Sequence, residues 1–209
     1  MPEKKSREAV KTEICKILNK IGALKFGAFK LTSGKMSPYY IDLRIIPSFP
    51  EAFRKTCDLQ AGFIKEEIGV KGFDRIAGIP IAGIPFASLI AYDLKKPFLY
   101  IRKGARLHGR QRRVEGILIS GDRVLLIDDL ITTGLSLTEA KGAIEAEGGV
   151  TTDAVVLLDR EERGREKLEK KGIRLHSLLK ISEIANRLYE IGAIDEVQLE
   201  TILKQIKKR

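Results

Sequence analysis

Two carboxylates, Asp128 and Asp129, close an apolar run, Val124-Leu-Leu-Ile127. The chain then continues Leu130-Ile131-Thr132-Thr133-Gly134-Leu135-Ser136. Residues of these types at this spacing can grip two different groups. Ionised carboxylates only accept hydrogen bonds, so adjacent acids suit a ligand that offers two hydroxyls side by side, as a sugar diol does. A glycine turn that opens a helix presents backbone N–H groups with the helix dipole behind them. The hydroxyls of Thr132, Thr133 and Ser136 add donors, and the whole suits an anion. A diol and a phosphate held one sugar apart describe a ribose 5-phosphate.

Other chemistries fit less well. A nucleotide P-loop needs Gly-Lys-Ser/Thr, and this turn has no lysine. A nucleotide hydrolase can end a strand on two acids, but no Gly-x-x-x-x-Gly-Lys segment precedes this one. A purely structural reading would have Asp128 cap a turn and Asp129 face solvent. It leaves two acids behind a buried run, with a desolvation cost and no obvious partner.

Elements around the stretch must position it. From Phe73 onward strand and helix patterns alternate: strands at 73–79, 97–102, 122–130, 151–159 and 173–179, helices at 83–94, 135–149 and 161–172. Apolar strand runs joined by helices predict an α/β fold whose central, mostly parallel sheet is covered on both faces. In such a sheet ligands bind beyond the carboxyl ends of the strands, where Asp128 and Asp129 are placed. Upstream, Val10, Ile14, Ile17, Leu18 and Ile21 share one helical face. Phe29 to Leu43 reads as a hairpin turning at Ser33-Gly34. Pro50 opens a helix reaching about Ile68, and two more helices close the chain.

The segment Arg102–Gly116 stands apart. It holds six Arg or Lys, one His and three Gly without apolar periodicity, and it reads as one long loop between strands. Compact domains keep such loops short unless function demands length.

At 209 residues and 44% hydrophobic, the chain is expected to form a single domain over 1–209, with a small N-terminal appendage of about residues 1–45. No stretch is long and apolar enough for a transmembrane helix. The N-terminus mixes acids with its basic residues and lacks an apolar core, so it does not read as a signal peptide. Cys15 and Cys57 lack a metal or redox spacing and are expected to be buried thiols in a reducing cytoplasm. Charged residues make up 32% of the chain beside four Gln and two Asn, a balance reported for proteins of hot environments. The net charge of +10 could serve nucleic acid, an anionic substrate or a solvated surface. Its concentration in one loop, with no aromatic-plus-basic surface, argues against nucleic acid.

With these residues in view, Val124–Ser136 resembles the phosphoribosyl pyrophosphate (PRPP) motif of the type I phosphoribosyltransferases: an apolar run, two acids and a Thr-x-Gly-x-Ser/Thr loop. Further segments are similar to orotate phosphoribosyltransferases in particular. They are "FKLTSGKMSPYYIDLR", "IRKGARLHGRQRRVEG", "LLDREERG" and "GIRLHSLLKISEI", in that order along the chain. The resemblance implies a type I phosphoribosyltransferase fold in which residues 1–45 supply a hood. It implies transfer of ribose 5-phosphate from PRPP to orotate, giving orotidine 5′-monophosphate and pyrophosphate with Mg²⁺ as cofactor, in a cytoplasmic homodimer with shared active sites.

Residue by residue, the resemblance places Asp128 and Asp129 at the ribose hydroxyls and Leu130, Ile131, Thr132, Thr133, Gly134, Leu135 and Ser136 around the 5-phosphate. Arg102, Lys103, Arg106 and His108 fall on the pyrophosphate as parts of a mobile loop, with Lys103 and Arg106 as catalytic cations beside the two acids. Orotate falls to Thr132, to Arg160, whose planar fork suits its carboxylate, and to the backbone of Tyr39 and Tyr40. No dedicated metal ligand is assigned. "GIPIAGIP", Gly78 to Pro85, looks like the family's pyrophosphate loop. Each assignment has a plainer alternative: an ion pair of Arg160 with Glu161 or Glu162, strand packing for the tyrosines, and a strand-to-helix turn for Gly78–Pro85.

The chain also departs from the family pattern. Arg106 stands where the family has a catalytic lysine; it keeps the charge but cannot pass on a proton. Thr32 and Ala82 stand where many members have lysines. Two other readings therefore remain beside the transferase: a PRPP-binding regulator without efficient turnover, and a phosphoribosyltransferase for another base.

Overall fold

The structure, a computed structural model, describes residues 6–30, 36–102, 104 and 112–207. It divides into two compact units, one formed by Met1–Thr56 with Leu179–Arg209 and the other by Cys57–Leu178.

The first unit begins with α1 (Arg7–Lys20), capped by Ser6, whose Oγ accepts the Ala9 N–H at 3.2 Å. An antiparallel ribbon follows, β1 (Leu24–Lys30) against β2 (Met36–Ile41), pairing Leu24 with Ile41 and Phe26 with Tyr39. The expected hairpin is present, but β1 starts earlier than the periodicity suggests. An irregularity between Phe26 and Phe29, with Gly27 at φ 146°, hides the alternation. The turn at Ser33-Gly34 lies outside the described residues. After β2 the chain enters a 3-10 helix, Leu43–Ser48, started by Asp42, whose Oδ1 accepts the Arg44 N–H at 3.2 Å. The helix α2 (Pro50–Glu67) then runs from this unit into the other.

Two C-terminal helices, α6 (Ile181–Glu190) and α7 (Glu196–Lys207), complete the first unit. α6 buries Ile181, Ile184, Ala185 and Leu188, a one-sided pattern that packs it against α1. Ion pairs line that contact, Lys11 Nζ to Glu183 Oε1 at 2.5 Å and Arg187 to Glu8.

The second unit is built on a six-stranded sheet. Its strands are β3 (Arg75–Gly78), β4 (Phe98–Ile101), β5 (Val114–Glu115), β6 (Val124–Ile131), β7 (Asp153–Asp159) and β8 (Arg174–Lys180), ordered β5-β4-β3-β6-β7-β8. β3 pairs in parallel with both β4 and β6, and β6 pairs in parallel with β7. The helices between them are α3 (Gly83–Asp93), α4 (Leu135–Ala146) and the short α5 (Gly164–Glu169).

Topology explains the layering. The crossover β3–α3–β4 steps one way along the sheet and β6–α4–β7 steps the other. The right-handed sense that such crossovers follow as a rule puts α3 and α4 on opposite faces. The central strands are therefore buried on both sides, and Val124 to Ile127 and Ala154 to Leu158 are all core residues. The reversal falls between β3 and β6. In an open α/β sheet that gap, at the carboxyl ends of the strands, is where a ligand finds a crevice.

The structure departs from expectation at two further places. The basic segment is not a loop throughout, because Val114 and Glu115 form β5, antiparallel to Ile101 and Tyr100. The helix expected over 161–172 shrinks to Gly164–Glu169, since Glu161 and Arg163 sit at φ 55° and 62°, outside helical geometry. Cys15 and Cys57 are buried, as expected.

Candidate active site

Asp128 and Asp129 lie within the last residues of β6, which runs on to Ile131, so the sheet itself fixes their backbone. Asp128 is registered against Val156 of β7, and Ile131 against Asp159. Both acids are only 8% exposed. Asp128 Oδ1 accepts the backbone N–H of Asp129 at 2.9 Å, which locks one carboxylate against the neighbouring residue. From the other side of the switch point α3 comes close. The Ile79 N–H donates to Ile127 O at 3.0 Å, and a Cβ at Gly83 would stand 2.8 Å from Asp128 Oδ1. Only a glycine lets the start of α3 reach the acids this closely. The segment Gly78–Pro85 is thus seated beside Asp128, with Ile81 74% exposed at its tip and a cis peptide between Pro80 and Ile81.

Beyond Ile131 the chain turns into α4. Gly134 takes φ 77° at the N-cap, and an added Cβ there would meet Leu168 Cγ at 3.1 Å and Gly164 O at 3.2 Å. A glycine is required on both counts. Its carbonyl accepts from Thr138 N–H (3.0 Å) and Thr138 Oγ1 (2.9 Å), so the first turn is held inward. Asp128 and Leu130 to Leu137 line a recess of about 60 Å³ at this helix N-terminus, with Thr133 and Ser136 exposed on its rim. The recess combines amide donors, hydroxyl donors and the positive end of a helix dipole, which together form an anion cradle. Larger concavities lie elsewhere, about 600 Å³ between the β1–β2 ribbon and α7. Volume is a poor guide here, because a phosphate needs convergent donors. The larger groove is lined mainly by apolar groups such as Met36, Pro38 and Val197.

The loop after β7 approaches the same cradle. Arg160 N–H donates to Ile131 O at 3.1 Å, beside Thr132. Arg160 Nη2 pairs with Glu162 Oε1 at 3.0 Å, the ion pair that stands as the alternative to a ligand contact. Thr132, Asp128, Asp129, Gly134, Ser136 and Arg160 are thus brought to one edge of one sheet.

The remaining candidates fall differently. Arg102 is placed at the stem of the basic segment, its N–H donating to Arg113 O at 2.8 Å and its Nη1 meeting Glu115 Oε1 at 3.2 Å. Lys103, Arg106 and His108 lie outside the described residues. Tyr39 and Tyr40 belong to the first unit. Tyr39 is 1% exposed and packs as core, its carbonyl accepting from Ser37 Oγ at 2.7 Å, whereas Tyr40 lies against Phe29 on the ribbon surface. Sequence reasoning missed the acids that clamp the stem: Glu147 accepts Val114 N–H at 3.2 Å and Glu139 stands 3.8 Å from Arg113. No spacing signals them, since α4 brings them there from more than twenty residues away.

Among the described residues no group of three or more His, Cys, Asp or Glu could hold a metal ion, and no helix is long and apolar enough to cross a membrane.

Comparison with known proteins agrees with this geometry. The phosphoribosyl transferase domain family matches residues 55–188. An orotate phosphoribosyltransferase of Staphylothermus marinus is 43% identical over 189 residues, 90% of this chain and 91% of that one. The crystal structure of an orotate phosphoribosyltransferase from Aeropyrum pernix superposes with a TM-score of 0.75 at 30% identity, over 87% of this chain and 99% of that one. The UMP synthase of Leishmania donovani gives 0.83 at 31% identity, over 95% of this chain and 42% of that longer one.

Proposed function

The chain belongs to the orotate phosphoribosyltransferases, and on that premise we propose how its residues divide the work of transferring ribose 5-phosphate from PRPP to orotate. Asp128 and Asp129 accept hydrogen bonds from the ribose hydroxyls. Thr132 to Ser136, with Leu130 and Ile131 leading into them, hold the 5-phosphate. The observation that carries this division is the juxtaposition, at one strand end, of two nearly buried carboxylates with an anion cradle.

Breaking the bond from the anomeric carbon leaves an oxocarbenium-like sugar and a highly charged pyrophosphate. The protein's contribution is to hold sugar and base in line and to stabilise the leaving group. Arg102, Lys103, Arg106 and His108 supply positive charge for that purpose. Arg106, unable to move a proton, acts by charge and hydrogen bonding alone. Gly78 to Pro85, seated against Asp128, adds backbone donors for the pyrophosphate. Arg160 receives the orotate carboxylate and Thr132 contacts the base; the family resemblance also assigns the backbone of Tyr39 and Tyr40 to orotate.

The acids Asp128 and Asp129 beside the ribose favour Mg²⁺ held by substrate oxygens and water, with no dedicated protein ligand. When bound, Mg²⁺ offsets the negative charge that collects on the pyrophosphate. We further propose a cytoplasmic homodimer with shared active sites, and no nucleic-acid role for the positive charge.

The test is orotate's ultraviolet absorbance in the presence of PRPP and Mg²⁺. A loss of signal with orotate, and none with adenine or uracil as base, is expected. Turnover with another base only, or tight PRPP binding without turnover, would overturn the assignment.

A further inference from the structure

The loop after β7 is fixed more tightly than presenting one arginine requires. Asp159, 3% exposed, accepts the Glu161 N–H at 2.9 Å and pairs with Arg165 at 3.4 Å. Arg165 in turn donates to Leu175 O at 2.6 Å and Ser177 Oγ at 3.1 Å on β8. Arg160 N–H is tied to Ile131 O at 3.1 Å. Glu161 and Arg163 flank Glu162 in left-handed geometry, φ 55° and 62°. Non-glycine residues hold that geometry only where their surroundings impose it. The backbone on both sides of Glu162 is thereby set. Its carboxylate is delivered to the Arg160 guanidinium at 3.0 Å, with the two side chains 20% and 17% exposed.

We propose that Glu162 is a positioning residue for base recognition: it orients the Arg160 fork before the substrate carboxylate arrives. This rests on the reading that Arg160 receives that carboxylate. An arginine ordered only on binding loses rotamer freedom at the expense of affinity, whereas one ordered beforehand does not. A guanidinium carries five N–H groups in a planar fork, enough for two carboxylates on different edges. The Glu162 charge also repels the incoming carboxylate, so the proposal requires orientation to outweigh repulsion. That balance is what the kinetics read.

The experiment compares the full chain with Glu162→Gln, Arg160→Ala and the double variant, varying orotate and PRPP separately with Mg²⁺ present. Glu162→Gln should raise KM for orotate about fivefold, the scale of ordering one long side chain. The kcat and the KM for PRPP should stay within about twofold. Arg160→Ala should raise the orotate KM further, and the double variant should match Arg160→Ala alone, because Glu162 acts only through Arg160. An unchanged or lower orotate KM in Glu162→Gln, equal effects on both substrates, or a double variant worse than Arg160→Ala overturns the proposal. If Arg160→Ala itself spares the orotate KM, the underlying reading of Arg160 fails, and that result is distinct from the others.

Discussion

The two ends of the central sheet both carry acids, in different surroundings. At the amino ends each carboxylate is matched to a cation. Asp74 takes a bidentate pair from Arg123 at 2.9 Å and also its backbone N–H, Asp122 pairs with Arg75, and Asp153 is held by His176 at 2.7 Å and Arg174 at 3.1 Å. The Arg123 hydrogen bonds hold the Asp74 carboxyl well below the usual carboxylate range. Burial alone would push Asp153 up, but bonds from His176, Arg174 and Thr152 outweigh it and the net shift is downward. At the carboxyl ends, Asp128 lines a recess with Leu130 to Leu137, Asp129 follows it in the strand, and Asp159 pairs with Arg165 at 3.4 Å. The amino ends match acid to cation, while the carboxyl end of β6 sets Asp128 beside a recess at a helix N-terminus. The switch-point rule places ligands at the carboxyl ends of the strands, and the recess beside Asp128 lies there, whereas Asp159 at the end of β7 pairs with Arg165 and holds the following loop.

The comparison can be broken most severely at the carboxyl edge. Replacing both Asp128 and Asp129 with Asn should lower kcat/KM for PRPP by on the order of 10³-fold, as loss of preorganised polar contacts does. The melting temperature should move little; a collapse of the fold instead would make these acids structural. Next comes Arg106→Ala, expected to lower kcat by roughly 10²-fold with circular dichroism unchanged. An unaltered rate would mean that another loop cation carries the charge. Gly134→Ala is smaller. An alanine there would combine a strained φ with contact against Leu168. The substitution should cost about 2 kcal/mol in denaturant unfolding, the scale of one strained residue, and weaken phosphate binding.

The amino edge should give the smallest effects. Asp74→Asn should barely move the melting temperature at neutral pH and leave kcat unchanged, because an exposed ion pair is screened by solvent. The Asp74 and Arg123 side chains are both exposed in this way. The signature of the pair is its pH dependence. A carboxyl depressed in the folded state contributes stability above its unfolded pKa and loses it as pH falls towards the folded value. Asp74→Asn should therefore flatten the acid side of the stability profile, below about pH 5, and leave the slope near neutral pH unaffected. A change in kcat of more than about twofold would blur the division between the two edges.

How much of this is legible depends on whether the signal is local. Val124 to Ser136 can be read directly, because a continuous apolar run, two acids and a glycine turn each impose their structure within a few residues. The parallel sheet follows from the alternation of runs, and the crevice from the direction of β6. The strand β5 is hidden because two residues flanked by arginines carry no periodicity, and only pairing with Tyr100 and Ile101 makes them a strand. The length of α5 is overestimated because Glu161 and Arg163 take left-handed geometry, the former with its N–H held by Asp159, which their side-chain types do not signal. The clamps from Glu139 and Glu147 depend on how α4 packs, which sequence spacing does not reveal. The Arg160–Glu162 pair is legible as an alternative to ligand binding, and its geometry supports reading it as the arrangement from which base recognition starts.

The most direct test of the central claim is a calorimetric titration of PRPP and of orotate into the wild-type chain and Asp129→Asn. If the twin acids hold the ribose hydroxyls, the substitution weakens PRPP by at least about tenfold, the worth of one charge-assisted hydrogen bond, and leaves orotate nearly unchanged. Equal loss for both ligands, or undiminished PRPP affinity, would contradict it.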